Sequence, residues 1–79
     1  MKGKSSLQEV EIYTETIPLQ GLLKWAFGLS GGMAKQLIQE GQVMVNGQRE
    51  SRRSKQIVPG DVVEVAGVGQ IKVVRQDGG

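Results

Sequence analysis

From Leu7 to Tyr13 the chain alternates, with Val10 and Ile12 facing one way and Glu9, Glu11 and Tyr13 the other. This is the period of a half-buried strand, and its charged face predicts a place at a sheet edge. Pro18 then stands where a first-turn proline is tolerated, and Leu19, Leu22, Leu23 and Ala26 follow at i, i+3, i+4 and i+7. That spacing predicts an amphipathic helix ending near Gly28, with an apolar stripe about 100° wide. Lys24 and Trp25 project away from the stripe, so the core does not require Trp25. A second apolar face, Met33, Ala34, Leu37 and Ile38, lies between Ser30, a good N-cap, and Gly41, a plausible C′ residue. The two faces predict a helical hairpin with a very short connection around Leu29 and Ser30.

Beyond Gly41 the period changes. Val43-Met44-Val45 runs into Asn46-Gly47, the pair that a type I′ hairpin turn demands because both central residues need positive φ. Pro59-Gly60 marks another turn, in which Asp61 reads as a turn residue bonding nearby backbone rather than as half of an acid–base pair with Glu64. Val63 and Val65 alternate with polar neighbours, and Gly67 and Gly69 bracket a last turn before Ile71 to Arg75. The second half is therefore expected to be a small antiparallel sheet. The whole is expected to be one α+β domain over residues 1–79, with residues 1–6 and 76–79 as flexible ends.

Size and composition limit the chemistry. A chain of 79 residues buries roughly 60–65% of its extended surface, too little for a deep, water-excluding site. It has no His and no Cys, which removes imidazole acid–base chemistry, thiol nucleophiles, disulfides and zinc sites built on those ligands. No catalytic residue, metal or cofactor is implied. Glu9 and Glu11 interrupt any secretory h-region after the basic N-terminus, and no apolar run reaches membrane-spanning length. A cytoplasmic protein is the expectation.

Charge is unevenly distributed. Arg49, Arg52, Arg53 and Lys55 against Glu50 alone give a net +3 over seven residues, while the rest of the chain sums to −1. Such a segment is either a solvated loop or a surface for an anionic partner, nucleic acid first. Arginine forks grip phosphate bidentately. Ser30, Gly31 and Gly32 at a helix start either cradle a phosphate on exposed N–H groups, with Lys35 one turn in as a point charge, or simply permit the tight turn. Lys24 extends the basic surface or is a solvated helix charge. Trp25 and Tyr13 are candidates for stacking on an unpaired base, against the plainer role of covering a core flank or a strand edge.

The order of strand, short helix pair, Glu40-Gly41-Gln42-Val43-Met44-Val45-Asn46-Gly47, basic loop and Val58-Pro59-Gly60-Asp61-Val62-Val63-Glu64-Val65 resembles the S-four-type RNA-binding domain, also called the alpha-L motif. This domain also occurs in pseudouridine synthases and tyrosyl-tRNA synthetases. The resemblance covers residues 18–65, and with the flanking strands the chain is similar to stand-alone bacterial proteins made of this domain. Ser30 to Lys35 and Ser51-Arg52-Arg53 correspond to stretches that recur in them. Two charged stretches depart: the family's Arg-Leu-Asp at the start of helix one is here Pro18-Leu19-Gln20, and its Ser-Arg at helix two is Ser30-Gly31.

The resemblance implies two short helices packed on a small, mainly antiparallel sheet. It implies a non-catalytic monomer that binds structured RNA, ribosomal RNA or a ribosomal particle, in ribosome assembly or maintenance, with no membrane partner. Taken together with the charge and helix-start readings, the candidate RNA-binding residues are Lys24, Ser30, Gly31, Gly32, Lys35, Arg49, Arg52, Arg53 and Lys55. Two alternatives remain: a ubiquitin-like sulfur carrier activated at Gly78-Gly79, and a protein-binding adaptor without RNA.

Overall fold

The computed structural model describes residues 7–76. The expectations for residues 1–6 and for the Gly78-Gly79 end lie outside the described residues. Seven strands and two helices follow in the order β1 (Leu7–Ile12), β2 (Ile17–Pro18), α1 (Leu19–Phe27), α2 (Gly31–Gln39), β3 (Val43–Val45), β4 (Gln48–Arg49), β5 (Gln56–Ile57), β6 (Val62–Val65) and β7 (Gly69–Arg75). Five strands form one sheet in the order β1-β7-β6-β3-β4, and β2 pairs with β5 in a separate two-stranded ribbon. All pairings are antiparallel except β1 with β7. This is the expected α+β architecture.

Register carries the apolar pattern across the sheet. Val45 pairs with Val63 and Val63 with Ile71, while Val43 pairs with Val65 and Val10 with Val73. One face is therefore a continuous valine and isoleucine surface, and the helices close it. Leu19, Leu22 and Leu23 of α1 and Ala34 and Ile38 of α2 join these residues, Ile12 and Ile57 in a single buried cluster. Each fully buried leucine contributes roughly 1.5–3 kcal/mol, which holds two nine-residue helices that would be marginal alone. Met33 departs from the sequence expectation: it is 48% exposed, and Leu37 is only partly buried. The face that α2 turns inward is narrower than its apolar residues suggest.

The helix ends follow the predicted chemistry with one exception. Ser30 caps α2 by accepting from the Met33 N–H at 3.1 Å. Gly41, at φ 75°, donates to Ile38, and Gln42 donates to Leu37 at 3.0 Å, the paired bonds of a Schellman motif. Pro18, by contrast, is the N-cap of α1 rather than its first residue, and its side chain offers no capping bond. Gln76, placed in the flexible end by the sequence, extends the sheet by donating its backbone N–H to the Ile12 carbonyl at 2.9 Å. Among the described residues no helix is long and apolar enough to cross a membrane.

The type I′ turn does more than reverse the chain. Asn46 (φ 52°) and Gly47 (φ 83°) take the left-handed conformations that the turn requires. The Asn46 side chain also accepts from the Val62 N–H and donates to Asp61 Oδ1, each at 2.9 Å. Asp61 in turn accepts from the Val58 N–H at 3.0 Å, as a turn residue should. One side chain thus ties the β3–β4 hairpin to the turn that starts β6. Asn46→Ala, which loses both bonds and strains φ, is expected to cost about 2 kcal/mol in urea unfolding; Asn46→Gly, which relieves φ, should cost about 1 kcal/mol. Wild-type stability in Asn46→Ala would contradict this role.

Candidate nucleic-acid interface

The start of α1 needs hydrogen-bond acceptors, because the first N–H groups of a helix have none within it. With Pro18 unable to supply one, the basic segment does so: the Leu19 N–H donates to the Lys55 carbonyl at 2.8 Å and the Gln20 N–H to the Arg53 carbonyl at 2.9 Å. The β2–β5 ribbon secures the next residues, pairing Ile17 with Ile57 and Pro18 with Gln56. Within the segment, Lys55 N–H donates to the Arg52 carbonyl at 3.1 Å. The segment is therefore fixed through its main chain while Arg52, Arg53 and Ser54 stay exposed.

This docking places Arg53 beside Lys24. Both line an open hollow of about 310 Å³ with Pro18, Gln20, Gly21 and Ser54, and among the described residues no acidic one borders it. The hollow adjoins the start of α2, where Gln20 Nε2 donates to the Gly31 carbonyl at 3.1 Å. A Cβ on Gly31 would lie 3.7 Å from Gln20 Nε2 and 3.9 Å from Lys24 Nζ, so both side chains reach to within van der Waals contact of this position. Lys24 thus stands near the positive end of the α2 dipole, an arrangement that a bound anion would neutralise. Gly32 faces open space, and Lys35 lies exposed one turn further along α2.

The remaining cations lie elsewhere. Arg49 folds over the C-terminal end of α2: a Cβ on Gly41 would sit 3.7 Å from Arg49 Cδ and 3.9 Å from its Nη1. It is separated from Ser30 by the length of the helix, about 14 Å. Arg49 and Lys55 line a smaller hollow of about 160 Å³ whose other residues include Glu50 and Asp61. Arg52 pairs with Glu50, donating from Nε at 3.1 Å and from its backbone N–H at 3.0 Å. The Arg52 side-chain bond, then its backbone bond, holds the Glu50 carboxyl below its ordinary value, and Glu50 raises Arg52 in return. The Arg52 side chain remains 70% exposed, leaving its outer N–H groups to solvent.

The structure thus brings together Lys24, Arg53 and the Ser30-Gly31-Gly32 turn, with Arg52 on the same segment, and sets Arg49 and Lys55 apart. Sequence reasoning missed Gln20, Gly21 and Ser54. Gln20 had a usable signal, since it is four residues before Lys24 and so on the same helix flank. Tyr13 and Trp25 lie on neither hollow; they face β1 and its acidic residues.

A family model of the S4 domain matches residues 10–74, from within β1 almost to the end of β7. Over 66 residues the chain is 44% identical to the "Probable ribosome maturation protein RlbA" of Bacillus subtilis, an alignment covering 82% of this chain and 93% of that protein. It is 36% identical over 64 residues to the small ribosomal subunit protein uS4 of Nitrosospira multiformis, covering 81% of this chain and 29% of that larger protein. Matched across nearly all of its described fold, the chain belongs to the S4 domain family.

Proposed function

We propose that this protein binds structured RNA without catalysing a reaction, and that its RNA is ribosomal, in ribosome assembly or maintenance. The observation that carries the reading is the docking of the basic segment on the start of α1, which sets Arg53 and Lys24 around one hollow beside the Gly31-Gly32 end of α2. A face of this kind suits the phosphates of A-form RNA, which is recognised largely by backbone and shape. The relative that this chain matches along most of its length is named for ribosome maturation, and the other for the small ribosomal subunit. Neither name is that of a sulfur carrier. A monomer in the cytoplasm fits this role.

Lys24, Arg53, Arg52 and the α2 amides form the inner contact set in this reading, with Lys35 extending it along α2. Arg49 and Lys55 contribute at its margin, because Glu50 and Asp61 share their hollow. Glu50 keeps Arg52 from folding back at random and leaves the guanidinium's outer edge free for a phosphate.

Two measurements check this. Binding to ribosomal RNA fragments should weaken steeply with salt, and Lys24→Ala with Arg53→Ala should flatten the log–log slope by about 0.7–0.9 per lost contact. An unchanged slope and affinity in that double variant would overturn the proposed site. The second concerns loop order. Because the folded-state pKa of Glu50 is depressed, its clamp on Arg52 is fully present above the unfolded value and is lost as pH falls through the lower folded one. An NMR pH titration of the Arg52 amide should have its midpoint below that of an unpaired glutamate; a midpoint at or above it would contradict the clamp.

A further inference from the structure

The other flank of α1 has the opposite character. Two adjoining hollows, of about 450 and 200 Å³, run between β1 and the helix, and Tyr13, Trp25 and Glu11 line both. Tyr13 is 70% and Trp25 61% exposed, two of the chain's three aromatic side chains left in solvent next to each other. Glu9 and Glu11 border the groove, and among the described residues no basic one lines either hollow. Lys72, the register partner of Glu9, stands on the same sheet face one strand in, and among the described residues it makes no ion pair with Glu9.

β1 is the last strand of the five-stranded sheet, so among the described residues its outer backbone groups have no strand partner. The Ile12 carbonyl points to the β7 side, where Gln76 reaches it. Alternation along a strand then turns the backbone groups of Glu11 and Glu9 outward. An open strand edge next to a helix is the geometry in which an extended peptide adds to a sheet. A second copy of this chain is a poor occupant, since edge-to-edge pairing of β1 would bring Glu9 and Glu11 of one copy near those of the other. The same carboxylates repel RNA. A cation suits both parts of the groove, pairing with Glu9 and stacking on the Trp25 face. Glu11 is already engaged in part: with the Gln76 amide nitrogen turned toward it, that nitrogen donates to Glu11 Oε1 at 2.6 Å.

We propose that the groove between the open edge of β1 and the Trp25 flank of α1 binds an extended, lysine- and arginine-rich segment of a protein partner, laid along β1. The protein would then hold RNA on one flank of α1 and a basic polypeptide on the other.

The test uses the full chain and three probes: a capped nine-residue peptide alternating Arg and Thr, its Glu-for-Arg counterpart, and an oligouridine of similar length. The basic peptide should bind saturably, moving the amide signals of Glu9 to Tyr13 and the Trp25 indole, and the other two should not. Trp25→Ala should weaken binding about two- to fivefold, and Glu9→Gln with Glu11→Gln about two- to tenfold; Lys24→Ala with Arg53→Ala should leave it unchanged. The proposal is overturned by no saturable response at the groove, by shifts that map to Lys24 and Arg53 instead, or by equal binding of the acidic peptide or the oligouridine. Sedimentation as a dimer through the groove in the absence of peptide would equally reject it in favour of a second copy.

Discussion

Everything specific to this molecule depends on how the bare start of α1 is satisfied. Pro18 fixes the entry to the helix but brings no capping side chain, so the Leu19 and Gln20 amides take the Lys55 and Arg53 carbonyls. Four cations within seven residues repel one another and would spread in isolation. The two bonds, with the β2–β5 ribbon and the Glu50 clamp behind them, hold that segment in one shape. The contact that stabilises a helix end is the same contact that places charge. Fold and the proposed RNA surface are therefore coupled: what loosens the start of α1 also disperses Arg53 from Lys24.

α1 divides the surface into two chemistries. Successive helix residues are about 100° apart, so neighbours Lys24 and Trp25 face different flanks. On the Lys24 flank the helix meets the basic segment and the glycine-rich start of α2, and cations gather without acidic neighbours. On the Trp25 flank it meets the acidic edge strand, where aromatic faces and carboxylates line the groove among the described residues. In so small a domain no surface lies far from the core, and one helix serves as a wall for both. The net charge of +2 conceals this separation.

Much of this was legible in the chain because it is local. Helix spacing, the Ser30 cap, the Gly41 end and the Asn46-Gly47 turn each depend on residues within a turn or two, and each is found where the pattern puts it. The family resemblance rested on the same local motifs, and the match over residues 10–74 bears it out. The parallel pairing of β1 with β7 was not legible, because it joins the two ends of the chain and leaves no short-range signature. Nor were β2 and β5, two residues each, whose existence follows from the loop docking on α1. The basic segment illustrates both cases: its charge is visible in sequence, whereas the division of its cations between two hollows depends on which carbonyls turn inward. Met33 shows the opposite error, an apolar residue at the right spacing that the narrow inward face of α2 leaves outside.

The most direct measurement is amide hydrogen exchange at Leu19 and Gln20 in the free protein. If the basic segment is docked before any ligand arrives, both amides exchange slowly, in step with buried core amides such as that of Val63. Rapid exchange at these two positions, with the rest of α1 protected, would mean that the segment is undocked in the free protein, and the coupling of fold to surface would fail.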